Sequence, residues 1–275
     1  MRNIWLMTMF TLREAYAKKI MTVYLAIASI LLTGFGIVLI FVDFSGLFKS
    51  SPGINMTANA AQLQVTGFNM FRGLFTGAVF SLNIFFSIFA TSSFVTSMLV
   101  KGTIDLFISK PITRYQLLLG KYFGGVLVVL INVSYMILML YFFIGLKFGI
   151  WETNFLFSIL IITLAFSVLY ALMVLLEIAF RGQVAALIIT YAIYMILSPV
   201  LSQKSLLTQI IHNSFINNII TSLYYIIPKT SEMSFINISI AAGSPVVSWQ
   251  PLWSSALFGI AALGSALYIF QKKDY

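Results

Sequence analysis

The stretch Lys101 to Lys121, KGTIDLFISKPITRYQLLLGK, decides how the whole chain is read. It is the longest run between strongly apolar segments that is both basic and helix-forming. Gly102 suits the position where a preceding helix must stop, because glycine reaches φ > 0 without steric cost. Thr103 to Ser109 supports a short helix with Ile104, Phe107 and Ile108 on one side. Pro111 forbids its continuation and pushes Lys110 toward an extended conformation. Thr113 and Gln116 are spaced as a capping box, so a new helix starts there and runs into the next apolar segment. The expected product is a stiff polar hairpin presenting Asp105, Lys110 and Arg114 around apolar residues. An ordinary loop whose charges only mark one side of a membrane is the competing reading.

Outside this hairpin the chain is dominated by apolar residues. Of its 275 residues 60% are hydrophobic and 8% charged, and the mean hydropathy is +1.01. A soluble domain has roughly a quarter of its residues charged, so this apolar surface belongs in a bilayer rather than in one globular core. A formal charge of +9 raises the question of nucleic acid. A nucleic-acid groove needs clustered Lys and Arg on a polar surface, whereas these cations sit between apolar segments, so no nucleic-acid partner is expected. The absence of cysteine excludes disulfides, thiolate metal sites and cysteine nucleophiles. One histidine and seven acidic residues leave little for hydrolytic or metal chemistry, and no catalytic, cofactor or metal residue is assigned. No G-x-x-x-x-G-K-[ST] occurs, so a nucleotide, if used, is bound by another chain.

The expected fold is all-α and membrane-integral, one transmembrane domain over residues 1–275. Residues 1–20 place Trp5, Thr8, Met9, Leu12 and Tyr16 three to four apart, which predicts an amphipathic helix at the cytoplasmic interface. A signal peptide is the rival there, but the apolar run that follows is too long and no small-residue cleavage site closes it. Six spans are expected at 21–42, 73–100, 122–146, 155–180, 184–202 and 252–270. The hairpin at 101–121 lies inside, and residues 43–72 form an outer loop. Residues 203–227 carry polar pairs at four- to five-residue spacing, one stripe along a helix, and are expected as an outer interfacial or re-entrant helix. An irregular loop follows to Pro251. This topology puts eleven Lys and Arg inside and five outside, so both termini are cytoplasmic.

The hairpin also resembles the signature of ABC-2 type transporter permeases, a G-T-x-[DE]-x-L-L-x-x-P-[IV]-[ST]-R pattern after the second span with G-K opening the third. Gly102, Thr103, Asp105, Leu106, Pro111, Ile112, Thr113, Arg114, Gly120 and Lys121 match it. An amphipathic first helix, the span count and the ending Phe270, Lys272, Lys273, Asp274 extend the resemblance over the chain. The pattern usually carries Glu just before the G-T, and here Leu99, Val100 and Lys101 stand there. The resemblance implies an exporter permease in the cell (inner or plasma) membrane, working as a homodimer or with a related permease. Each permease would dock one of two ATPase subunits through Gly102, Thr103, Asp105, Phe107, Lys110, Pro111, Thr113 and Arg114. ATP and Mg would be bound by the ATPase and no cofactor by this chain, with membrane lipids around it.

Other polar residues have simpler readings. Glu177 and Arg181 are spaced as an ion pair near the inner end of the fourth span, although an intramembrane acid also reads as functional. His212, a lone histidine on the outer helix, reads as solvated or headgroup-facing. Asn83 and Asn132 read as hydrogen-bonding ties between helices rather than pathway residues. Gly34 with Gly36, Gly124 with Gly125, and Ser255 with Gly259 allow close helix contacts, including contacts between permease copies. A non-transporting assembly subunit of a membrane complex is the main rival function. An ion-coupled secondary transporter would want ionisable groups at mid-membrane depth and an internal repeat, and neither is evident.

Overall fold

Long apolar runs uninterrupted by charge have to satisfy their own backbone in lipid, and the helix does this within each segment. The computed structural model of the chain describes residues 2–41, 60–98, 113–149, 151–210 and 213–272. Among the described residues there is no strand, and six helical segments are long and apolar enough to cross a membrane.

The chain begins with α1 (Arg2–Ala17) and turns at Lys19, φ 59°, into α2 (Ile20–Phe41). Then come α3 (Ala60–Thr91), the short α4 (Ser93–Thr96) and α5 (Arg114–Phe148). Gly149, at φ 69°, ends α5, where any side chain would be strained. A 3₁₀ turn at Thr153–Phe157 leads into α6 (Ser158–Phe180). The next span is composite: α7 (Gln183–Ala192) passes through a π-helical turn at Ile193–Leu197 into α8 (Ser198–Ser202). α9 (Lys204–Ile210), α10 (Ser214–Ile226), α11 (Thr230–Ala241) and the last span α12 (Gln250–Lys272) complete the order.

The core is organised on α6. Phe166, Leu169, Tyr170, Met173, Val174 and Ile178 are all fully buried, and α6 packs on α3, α5, α7, α11 and α12. A helix apolar on every side belongs in the centre of a bundle. Small residues set its closest approaches. A Cβ on Gly125 of α5 would fall 2.6 Å from the Tyr170 ring, and one on Gly259 of α12 would fall 3.2 Å from Val168.

Three elements depart from the sequence reading. α3 extends back from the second span, Phe75–Thr96, to Ala60, into the stretch read as an outer loop, and its ladder breaks at Ser92. The break has a local cause: Thr91 donates to the Ser87 carbonyl at 2.8 Å and Ser92 to the Phe89 carbonyl at 2.8 Å, so successive hydroxyls compete with the backbone bonds. Secondly, residues 203–227 form two helices, with the Asn213 side chain capping α10 by accepting from the Phe215 N–H at 2.9 Å. Thirdly, α11 occupies the stretch read as irregular. Met233, Ile236, Asn237 and Ala241 are buried at helical spacing, while Ser198 of α8 accepts from Thr230 Oγ1 and the Ser231 N–H, each at 2.9 Å. The Lys229 N–H donates to Ser255 Oγ of α12 at 3.0 Å. Residues 43–59 and His212 lie outside the described residues.

Candidate functional site

Residues 99–112 join α4 to α5 in sequence and lie outside the described residues, and the helices on either side of them form the candidate site. The capping box expected at the start of α5 is present: Thr113 is the N-cap in extended conformation, and its N–H donates to Gln116 Oε1 at 3.3 Å. Arg114 opens the helix. The remaining predicted docking residues, Gly102, Thr103, Asp105, Phe107, Lys110 and Pro111, lie outside the described residues.

α1 runs parallel to the first turns of α5 in a four-residue register. Asn3 Nδ2 donates to Gln116 Oε1 at 3.3 Å, Met7 lies on Gly120, and Thr11 lies on Gly124. A Cβ on Gly120 would approach Met7 Cβ to 2.3 Å and one on Gly124 would approach Thr11 Cβ to 2.4 Å, so only glycine permits this separation. Gly124 and Gly125 therefore serve contacts within the chain, with α1 and α6 respectively. The face of α1 that packs on α5 holds Met7, Thr8, Thr11 and Ala15, whereas Trp5 and Tyr16 of the predicted apolar stripe are exposed.

The most polar point of this contact joins groups 107 residues apart in sequence: Lys121 Nζ, buried on α5, donates to Glu14 Oε2 on α1. Lys18 donates to Glu14 Oε1 at 2.7 Å, and Ser97 Oγ, just after α4, reaches the same oxygen at 3.4 Å. Burial pushes the Glu14 carboxyl up, but the bonds and charges of Lys121 and Lys18 together outweigh it and hold it below the ordinary carboxylate range. On its other side the α4 turn is held by Gln183 of α7, whose Nε2 donates to Ser92 Oγ at 2.9 Å.

Glu177 is fully buried on α6, with Thr96 of α4 beside its carboxyl. α6 ends at Phe180, and Arg181 follows it with φ 54°. Asn83 does tie helices, donating to Met136 Sδ of α5 at 3.2 Å, while Tyr24 of α2 donates to the Asn83 carbonyl at 3.2 Å. Asn132 donates within its own helix, to the Val128 carbonyl at 2.9 Å. Among the described residues no group of His, Cys, Asp and Glu is arranged to hold a metal ion.

The model of the ABC-2 family transporter protein family matches residues 99–275, from the segment between α4 and α5 to the end of the chain. The chain belongs to the ABC-2 transporter family. No curated protein matches it. As an ABC-2 protein it is a multi-pass membrane transport component, a permease subunit of an ABC transporter, and such permeases normally work with an ATPase subunit. The match takes in all the predicted docking residues, while α1, with Glu14, precedes it.

Proposed function

We propose that this ABC-2 permease couples ATP hydrolysis on a separate ATPase subunit to export of a substrate, through docking of segment 99–112 and the start of α5. Two permease copies, or this chain and a related one, face each other across the pathway, and each engages one ATPase that holds the ATP and Mg. Both termini and the docking segment are cytoplasmic, because that orientation leaves eleven of the chain's cations inside and five outside. ATP-driven closure of the ATPases pushes the docking segments together and moves the spans as rigid bodies.

The observation that carries this reading is the capped start of α5. A coupling element has to transmit displacement rather than absorb it, and here the docking segment feeds, through the Thr113–Gln116 box, straight into a 35-residue helix that spans the bundle. At about 1.5 Å per residue that helix is about 52 Å long against a hydrocarbon core of about 30 Å, so it overshoots the bilayer and can carry Arg114 to a soluble partner.

The test is to co-purify the chain with its cognate ATPase and replace Asp105 and Arg114 by Ala. Complex formation and substrate-dependent ATP hydrolysis should both fall. Unchanged values for both would remove the docking role and favour a non-transporting assembly subunit.

A further inference from the structure

The helices between α8 and α11 stand apart from the bundle. No residue of α9 or α10 is buried, whereas α8, α11 and α12 all bury residues. Both flanks leave the helical path, at Gln203 (φ −94°, ψ 25°) and at Ile227 (φ −83°, ψ 143°), where Pro228 has no N–H to continue the ladder. The seat of α10 on the bundle is centred on one ring. Lys229 Nζ lies 3.9 Å from the Tyr224 ring centroid and Lys204 Nζ 4.9 Å from it, and Glu232 of α11 stands beside the Tyr224 hydroxyl. We infer that α9 and α10 form a hinged strap, latched to the bundle by the contact of the Lys229 ammonium with the Tyr224 ring.

The two lysines belong to different bodies. Lys229 is fixed to the bundle, its N–H donating to Ser255 Oγ of α12, while the next two residues, Thr230 and Ser231, both donate to Ser198 of α8. Lys204 opens α9 and joins it to α10 across the Tyr224 ring. Tyr224 is therefore the junction of a fixed and a movable part. Two features make the junction releasable. First, Lys229 is only 5% exposed and its Nζ has no hydrogen-bond acceptor. With the latch closed, the ammonium exchanges its water for a ring face and the nearby charge of Glu232, and burial pushes its pKa down. The like charge of Lys204 pushes the same way, so hydration on opening offsets the contact that is lost. Secondly, the seat is not close-packed. A cavity remains between Tyr224 and Ser198, Leu201 and Ser202 of α8, and the apolar residues Phe215, Ile219 and Ile226 of α10 are exposed, so swinging the strap uncovers little that was buried. The strap joins the end of the fifth span to α11, which is pinned to the last span, so movement of these two spans against each other works the latch. It lies at the opposite end of the bundle from the Glu14 cluster, and its geometry does not depend on where an ATPase docks.

The test uses the absence of native cysteine, which makes introduced labels unique. Spin labels at Phe215→Cys on α10 and Leu257→Cys on α12, both exposed, report the distance distribution between strap and bundle in the full chain, in lipid discs without ATPase. Lys229→Met keeps the stem and removes the ammonium. Tyr224→Leu removes the ring, and Tyr224→Phe keeps the ring and removes the hydroxyl. The expected result is a distribution about twofold broader, extended to longer distances, in K229M and in Y224L, and one that coincides with the parent in Y224F. Melting that stays cooperative shows that the bundle is intact. Parent-like distributions in both K229M and Y224L would overturn the latch. Broadening in Y224F equal to that in Y224L would overturn it too, because the hydroxyl rather than the ring face would then hold the strap. Should either K229M or Y224L fail to fold, the other decides in the same way.

Discussion

Gly124 and Gly34 are both glycines inside spanning helices, yet their surroundings demand opposite outcomes for the same substitution. A methyl group on Gly124 would lie 2.4 Å from Thr11 Cβ, whereas no described residue lies within 4 Å of one on Gly34. G124A should destabilise the protein by about 1–3 kcal/mol through overpacking of α1 on α5. G34A should be neutral or stabilising by about 0.5–1 kcal/mol, because alanine loses less backbone entropy. Thermal melting in detergent compares the two directly. Glu14 makes a second prediction. Its carboxyl titrates below the ordinary value of 4.5 in the folded protein, so its contribution is complete above that value and is lost as pH falls through the lowered one. The melting advantage of the parent over E14Q should therefore be constant from neutral pH down to about 5 and disappear on further acidification. An advantage that grew on acidification would contradict the assignment. At this scale the sequence was half legible. Small residues at 124 and 125 signalled a close contact, but pairing Glu14 with Lys121 needs a partner 107 residues away, and no local pattern supplies it.

Among the elements, legibility follows how local the cause is. The start of α5 could be read because a capping box is written within four residues, and the spans because charge-free length is their only requirement. α11 escaped because its buried face carries Thr230 and Asn237 among apolar residues, so polarity suggested a loop. Met233, Ile236, Asn237 and Ile240 were nevertheless helically spaced, and that period was the usable signal. The π turn in the fifth span has its mark in Pro199, which has no N–H to give and crowds the carbonyl four residues earlier, and α9 and α10 separate at Asn213, a capping residue that was counted only as part of a polar stripe. The cap itself is testable. T113A should cost about 1 kcal/mol, typical of a lost N-cap, and should raise amide exchange in the first turn of α5 while leaving α6 protected.

For the whole molecule, the six apolar segments and the family match agree on an ABC-2 permease. The bundle has two chemically distinct ends. One gathers α1, α4, the start of α5, the end of α6 and the start of α7 around the ties of Glu14 and Gln183. At the other, Trp151 packs against Gly145 of α5, and Lys229 lies 3.9 Å from the Tyr224 ring centroid between α10 and α11. In the proposed docking, the first of these ends receives the ATPase. Because the chain has no cysteine, a single photocrosslinker can be placed at Ser109→Cys in the docking segment, or at Val247→Cys, fully exposed between α11 and α12, as the control. With the cognate ATPase present, a covalent permease–ATPase product is expected from position 109 and none from 247. Equal products from both positions, or a product from 247 alone, would contradict it.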